Sequence, residues 1–456
     1  MKPCGTAGLR PDRDFLIGLS PTISLSLANP RQVKSPPFTE DSGVHLIQPF
    51  TGLRPVPERA ADVAAPPYDV LSSAEARSRV TGKPWSFLHV SKPEIDLPDG
   101  VDVYSAPVYA KAAENLRNMV EKGVLRRDAE PCYYAYRLIM NGHTQIGLVA
   151  AASVAQYDAN RIRKHEFTRP DKEDDRVRQI EATNAQTGPV LLAYPPASQV
   201  DDILLQASAG APDSDVTADT GVRHTIWAIR DRDTLERLTN AFDAMPALYI
   251  ADGHHRSAAA SRVAAARRAA NPRHTGKESY NYFQVVAFPH HQMRILDYNR
   301  VVTDLGGLST SDFLARIAAS YAVEPSTAAV RPACHGEVGL YVEGQWYRLQ
   351  IKAALAACND PVARLDVSLL SDHLLAPVLG INDLRRDKRI DFVGGIRGLE
   401  ELEKRVASGE MAAAFALHPT SMTDLMAVAD AGSVMPPKST WFEPKLADGL
   451  VSHVLD

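Results

Sequence analysis

One pentapeptide combines the residue types that phosphate chemistry uses: Asp252-Gly253-His254-His255-Arg256. Asp252 offers a carboxylate able to ligate Mg2+ or to orient an acceptor hydroxyl and take its proton. Arg256 offers a planar donor fork that matches phosphate oxygens. His254 is a candidate for stabilising charge on a transferring group, and Gly253 and His255 for cradling phosphate. An Asp-Gly pair alone is usually only a turn. The stretch before it, Ala247 to Ile250, is short and apolar, as a buried strand is, and the stretch after it is Ala-rich and helix-forming. A strand that turns through Gly into a helix aims free N–H groups outward, and the helix dipole there favours an anion.

Three other stretches carry candidate side chains. In the charged run 161–176, His165 and Glu166 precede a helix that Pro170 opens and that extends to about Ala182. Glu166 or His165 is the candidate base. Lys172, Asp175, Arg176 and Gln179 share one face by their spacing, and Arg169, Lys172 and Arg176 are candidates for holding substrate. A charge run is commonly just a solvated face. Here a turn-rich loop, Asn184 to Pro189, follows and leads into an apolar strand, Val190 to Tyr194, and loops at strand ends are where sites gather. Earlier, Pro66 and Pro67 stiffen a loop that presents Tyr68 and Asp69. Near the end, 434–445 holds three prolines and the run Lys438-Ser439-Thr440. Those three residues offer an ammonium and two hydroxyls to an anion. The glycine spacing of a Walker A loop is missing; Lys438, Ser439 and Thr440 remain candidates for binding phosphate, with Lys438 closing the site, and the alternative is a tail strapped over the core by Trp441 and Phe442.

The elements that must position these residues mix strands and helices without regular βαβ alternation. Asn141-Gly142 marks a hairpin between Cys132–Ile139 and Gln145–Val154. Ser86 to Val90 reads as a strand. Tyr104 to Lys122 reads as an amphipathic helix with Val108, Ala112, Leu116 and Val120 near one face. Asn299 and Arg300, embedded in a strand over 295–302, point to a pocket or to solvent. The class is α+β (mixed α/β), with mixed sheets flanked by helices. Three parts are expected: a poorly ordered extension over 1–44, an N-terminal α/β part over 45–245 with the His-Glu segment, and a C-terminal α/β part over 246–456 with the Asp-Gly-His-His-Arg turn and the strap.

Composition narrows the classes. A chain of 456 residues can bury large cores. A net charge of -5 gives no basic footprint, so no nucleic-acid partner is expected. No apolar run approaches the ~20 residues that span a bilayer, so no membrane is expected. The 4 cysteines are scattered, without metal-ligand spacing or a disulfide framework, which suits a reducing cytoplasm.

Pro66-Pro67-Tyr68-Asp69-Val70, Lys164-His165-Glu166-Phe167-Thr168, the 252–256 turn and Met435-Pro436-Pro437-Lys438-Ser439-Thr440 together resemble the domain of unknown function 1015 family, over about residues 45–455. More locally, the 252–256 turn resembles the Asp-Gly-His-x-Arg motif of free-serine kinases with the ParB/sulfiredoxin-like fold. That resemblance implies a ParB/sulfiredoxin-like element, a nucleotide-phosphate site at the turn, and acidic residues that handle a serine hydroxyl. The leading expectation is a small-molecule kinase using ATP or ADP with Mg2+ on Asp252, with a small hydroxyl metabolite as its partner. A phosphatase or other metal-assisted hydrolase, and a non-catalytic ParB-like nucleotide-binding module, are the alternatives.

Overall fold

The computed structural model describes residues 44–356 and 358–456. The expected N-terminal extension therefore lies, up to residue 43, outside the described residues. Mixed sheets with helices packed against them make the chain α+β.

Among the described residues the largest sheet has nine strands. Its middle joins Val190–Tyr194, Tyr282–Pro289, His143–Ser153 and Tyr133–Met140 in that spatial order. Leu248–Asp252 runs antiparallel to Val190–Tyr194 on one side and parallel to Ile162–Arg163 on the other. This arrangement sets the His165-Glu166 loop and the Asp252 turn beside each other, since both leave neighbouring strands in the same direction. Strands from both sides of residue 245 share the sheet, and residues 44–456 cluster as one unit. The Asn141-Gly142 hairpin is present, with both residues at positive φ, as a two-residue turn between twisted strands requires. Gly147 sits where a Cβ would meet the Ala287 carbonyl at 2.5 Å, so only glycine lets that strand approach so closely.

The second large sheet has six strands, all antiparallel, in the order Tyr321–Ser326, Gln345–Ile351, Glu337–Val342, Ala413–Leu417, Tyr298–Val302 and Ile390–Gly394. The strap strand Trp441–Glu443 pairs with Arg294–Leu296. One continuous apolar core, from Tyr134 and Phe288 to Phe313, Phe415 and Phe442, joins the two sheets.

Three local expectations are corrected. Ser86 to Val90 is not a strand: Leu88–Ser91 is a helical turn with Leu88 and Val90 buried. A short apolar run fits either state, and periodicity cannot choose between them. In the helix Ala106–Glu121, Met119 fills the inner face and Val120 is exposed, because 3.6-residue spacing carries the stripe to position 119. Asn299 and Arg300 face neither a pocket nor solvent; both are fully buried. Asn299 Oδ1 accepts from the Leu417 N–H at 2.9 Å, and Arg300 Nη2 donates to the Pro437 carbonyl at 3.3 Å.

Candidate functional site

The turn is built as its residues require. Leu248–Asp252 is a strand, Gly253 takes φ 100° as the N-cap, and His254–Ala270 is the helix. A side chain at Gly253 would lie 3.1 Å from the Arg256 guanidinium carbon and 3.3 Å from Val190 Cα. Glycine therefore meets two demands there, the backbone angle and the space for Arg256.

Asp252 sits at the centre. Its Oδ2 lies 3.6 Å from Lys445 Nζ and 3.7 Å from Arg256 Nη2, and its carboxylate accepts the Gly253 N–H. Burial works to raise its pKa; Lys445, Arg256 and His254 outweigh that and hold it at about 2. Arg256 leans back under the turn and donates to the Pro189 carbonyl.

On the open side stand His165, Glu166 and His254. The two imidazoles meet edge to face with ring centres 4.5 Å apart. The His165 N–H donates to His254 Nε2 at 3.4 Å, and His254 Nδ1 lies 3.7 Å from Glu166 Oε2. His165 and His254 are buried, while Glu166 is half exposed at the rim. Burial holds both imidazoles below their ordinary range, His165 at about 4. The surrounding protein and the charge of Asp252 push the Glu166 carboxyl above its usual range, against Lys438 and Arg385. A cavity of about 360 Å³ opens beside Glu166 and His254, with Lys164, Thr168, Glu173 and Arg262 also on its wall.

The strap reaches this loop directly, since the Met435 N–H donates to the His165 carbonyl at 2.9 Å. That bond brings Lys438 within the field of Glu166, with Lys438 Nζ 5.7 Å from the centre of the Tyr298 ring. Ser439 is buried and donates to the Pro436 carbonyl at 2.7 Å, so its hydroxyl shapes the strap. Thr440 is half-buried beside it.

Behind the turn lies a small chamber of about 30 Å³, lined by Tyr68, Arg176, Gln179, Arg256 and Asp448 together with the apolar Ile180, Val190 and Phe283. The Arg176 guanidinium stacks 3.9 Å above the Tyr68 ring and pairs with Asp175 at 2.6 Å. Burial pushes the Tyr68 hydroxyl up to about 12, although Arg176 opposes it. Asp69 is exposed at the chamber's edge, close enough to act on Arg256 and Asp448. Burial pushes Asp448 up to about 7, with Arg256 opposing and Asp69 adding to the rise.

The expected residues therefore separate into those that meet and those that do not. Asp252, Gly253, His254, Arg256, His165, Glu166 and Lys438 cluster around the turn, with Tyr68, Asp69 and Arg176 behind it. Three point elsewhere. His255 Nε2 accepts the Arg169 N–H at 3.0 Å and ties the helix Pro170–Thr183 to the turn. Arg169 pairs with its own neighbour Asp171 at 2.8 Å. Lys172 Nζ donates to the Tyr104 hydroxyl at 2.6 Å. Sequence reasoning missed Lys445, Asp448 and Arg385. A lysine three residues past Phe442, at the end of the strap, carries no local signal of its own.

Asp252 fits Mg2+ poorly. Mg2+ demands an octahedral set of oxygens, and this single carboxylate is already matched by a lysine, an arginine and a backbone N–H.

Among the described residues no helix is long and apolar enough to cross a membrane. No curated protein matches the chain. Solved structures similar to it include a conserved hypothetical protein from Pyrococcus furiosus, at 14% identity over 66% of this chain and 94% of that one, with TM-score 0.33. A free serine kinase in complex with AMP matches at 12% identity over 66% and 92%, with TM-score 0.31. SbnI with a C-terminal truncation, from Staphylococcus aureus, matches at 11% identity over 66% and 86%, with TM-score 0.34. These likenesses are too slight to argue an activity from. The model of a family described as protein of unknown function, DUF1015, matches residues 47–368, and the chain belongs to that family.

Proposed function

We propose that the chain is a phosphotransferase of the kinase type, moving a phosphoryl group from ATP or ADP to the hydroxyl of a small metabolite, with free serine the first acceptor to test. The observation that carries this reading is geometric: Lys445 Nζ and Arg256 Nη2 stand 3.6 and 3.7 Å from Asp252 Oδ2, and the Glu166 carboxyl, in the field of Lys438 and Arg385, lies beside the same turn on the wall of the open cavity. Phosphoryl transfer asks a protein mainly to hold the group in place and to stabilise its spreading negative charge. Lys445, Arg256 and Lys438 are the side chains for that task. The hydroxyl must also lose a proton, and a carboxylate with a raised pKa is the better base at neutral pH. Asp252, ionised throughout the physiological range, orients the acceptor and keeps Lys445 and Arg256 in position. No step is assigned to Mg2+ on Asp252; the ion enters as the nucleotide's own counter-ion.

The test is incubation of the full chain with ATP or ADP, magnesium and a set of small hydroxyl compounds, serine included, followed by detection of the phosphorylated product. Product formation that Glu166→Gln lowers by about 10²–10⁴-fold supports the reading. Nucleotide-independent release of phosphate from a phosphomonoester, with no transfer, overturns it in favour of a hydrolase.

A further inference from the structure

We propose that His165, Glu166 and His254 bind a divalent transition-metal ion of the zinc class, with the remaining position open to the adjoining cavity. One ligand atom from each of the three lies within 4.8 Å of the other two. Two imidazoles and one carboxylate form a donor set suited to Zn2+ and its first-row neighbours, and poorly suited to Mg2+, which prefers oxygen alone.

Three observations support the site beyond proximity. The Nδ1 atom of His165 is buried and has no hydrogen-bond partner, and a buried polar atom left unpaired is costly. The same ring bonds the backbone carbonyl of Ile250. Since Nδ1 is unpaired, that bond falls to Nε2–H and leaves the Nδ1 lone pair free, which is the way metal-ligating histidines are commonly oriented. The third is access: Glu166 and His254 both line the 360 Å³ cavity, so an ion can enter and a fourth ligand can reach it. Three protein ligands with one open position is the pattern of catalytic rather than structural zinc.

The donors need to close slightly. With Zn–N near 2.0–2.1 Å, tetrahedral ligands stand about 3.3 Å apart, against 3.7 Å now between His254 Nδ1 and Glu166 Oε2, and ligation through Nδ1 requires His254 to give up the long 3.4 Å bond it accepts from the His165 N–H, so that the ring proton moves to Nε2. Glu166 is half exposed and its side chain supplies the movement. Lys438 and Arg385 face Glu166 and oppose a cation; Asp252 favours one.

The inference does not depend on phosphoryl transfer. Where both hold, the ion occupies the carboxylate that acts as base, so the zinc-loaded protein transfers phosphate more slowly than the zinc-free protein.

The experiment is titration of the untagged, chelator-treated full chain with ZnCl2 by calorimetry, MgCl2 serving as comparison, with bound metal counted by elemental analysis. One zinc per chain and no heat from MgCl2 is expected. Glu166→Ala should weaken zinc by at least about 10-fold, the loss that even an outer-shell partner gives. His254→Gln, checked for folding by circular dichroism, should do the same. Among the described residues the exposed Cys334 and Cys358 are competing thiol ligands, and Cys334→Ser with Cys358→Ser should leave zinc binding unchanged. No zinc uptake, or uptake that the cysteine changes abolish and Glu166→Ala does not affect, overturns the inference. Lys445→Met separates the two ideas: it should impair transfer and leave zinc affinity unchanged. Zinc binding together with no transfer by the zinc-free protein would sink the phosphotransferase reading alone.

Discussion

Lys445 Nζ stands 3.6 Å from Asp252 Oδ2, joining the C-terminal strap to the strand–helix turn. The lysine's ammonium also sits over the Trp441 ring, with Nζ 5.2 Å from the ring centre, so the strap's aromatic anchor helps to set the position of the charge. Lys445→Met keeps the apolar stem and removes only the ammonium. Transfer should fall by about 100-fold, the scale of losing one charge-stabilising donor. Thermal stability should change little, because Arg256 still balances Asp252. A steady-state comparison with the parent chain checks this; an unchanged rate would remove Lys445 from the site.

The pH profile of transfer follows from Glu166. A base must be unprotonated, so the rate should rise with pH through a carboxyl pKa above the ordinary range, since burial and Asp252 push Glu166 up. In Glu166→Gln the rising limb should vanish along with most of the rate. A limb retained in that variant would assign the proton transfer to another group.

Gly253→Ala strikes the turn itself. The added methyl would press on Arg256 and on the Val190 backbone at a φ that L-residues rarely adopt. A loss of about 1–3 kcal/mol is expected, read as a lower unfolding midpoint in urea, together with weaker nucleotide binding as Arg256 moves. Full stability in this variant would show that the turn relaxes easily.

Asp448 gives a signed dependence on pH. Burial pushes its carboxyl up to about 7 in the folded chain, against ~3.9 when unfolded. Between those values the folded state holds a proton that the unfolded state has released, so this group's contribution to stability declines as pH rises from about 4 to about 7 and is level above that. Its full span is on the order of 3–4 kcal/mol. His165, His224 and His453, which burial holds at about 4, act oppositely over much of the same window. The total curve therefore hides the carboxyl, and the comparison must be a difference. Asp448→Asn minus the parent chain should gain stability as pH rises from about 4 towards about 7 and then level off, in denaturant titrations. A flat difference would mean that Asp448 is ionised when buried.

The sequence made some of this legible and hid the rest for identifiable reasons. The strand Val190–Tyr194 and the Asn141-Gly142 turn were readable because short-range rules decide them. The strand–turn–helix at Asp252 was readable because apolar run, glycine and alanine-rich stretch agree. Ser86 to Val90 misled because burial, not periodicity, dominates five residues. Arg300 misled because its Nη1 and Nη2 donate to the carbonyls of Tyr298 and Pro437 in a closed interior, a pairing no spacing rule reveals. Arg169, Lys172 and His255 share a charged neighbourhood with the site, and only three-dimensional placement shows that their polar atoms are engaged elsewhere. Lys445 and Asp448 carried no local mark, since what makes each of them matter is a partner far along the chain.

The central claim is that the side chains around Asp252 move a phosphoryl group to a hydroxyl. The direct measurement is transfer of label from terminally labelled ATP or ADP to a hydroxyl acceptor by the parent chain, Glu166→Gln and Lys445→Met, run side by side. Labelled acceptor is expected with the parent, and a loss of at least about 100-fold in both variants. Label that never leaves the nucleotide with any acceptor, or transfer that both variants retain in full, would contradict it.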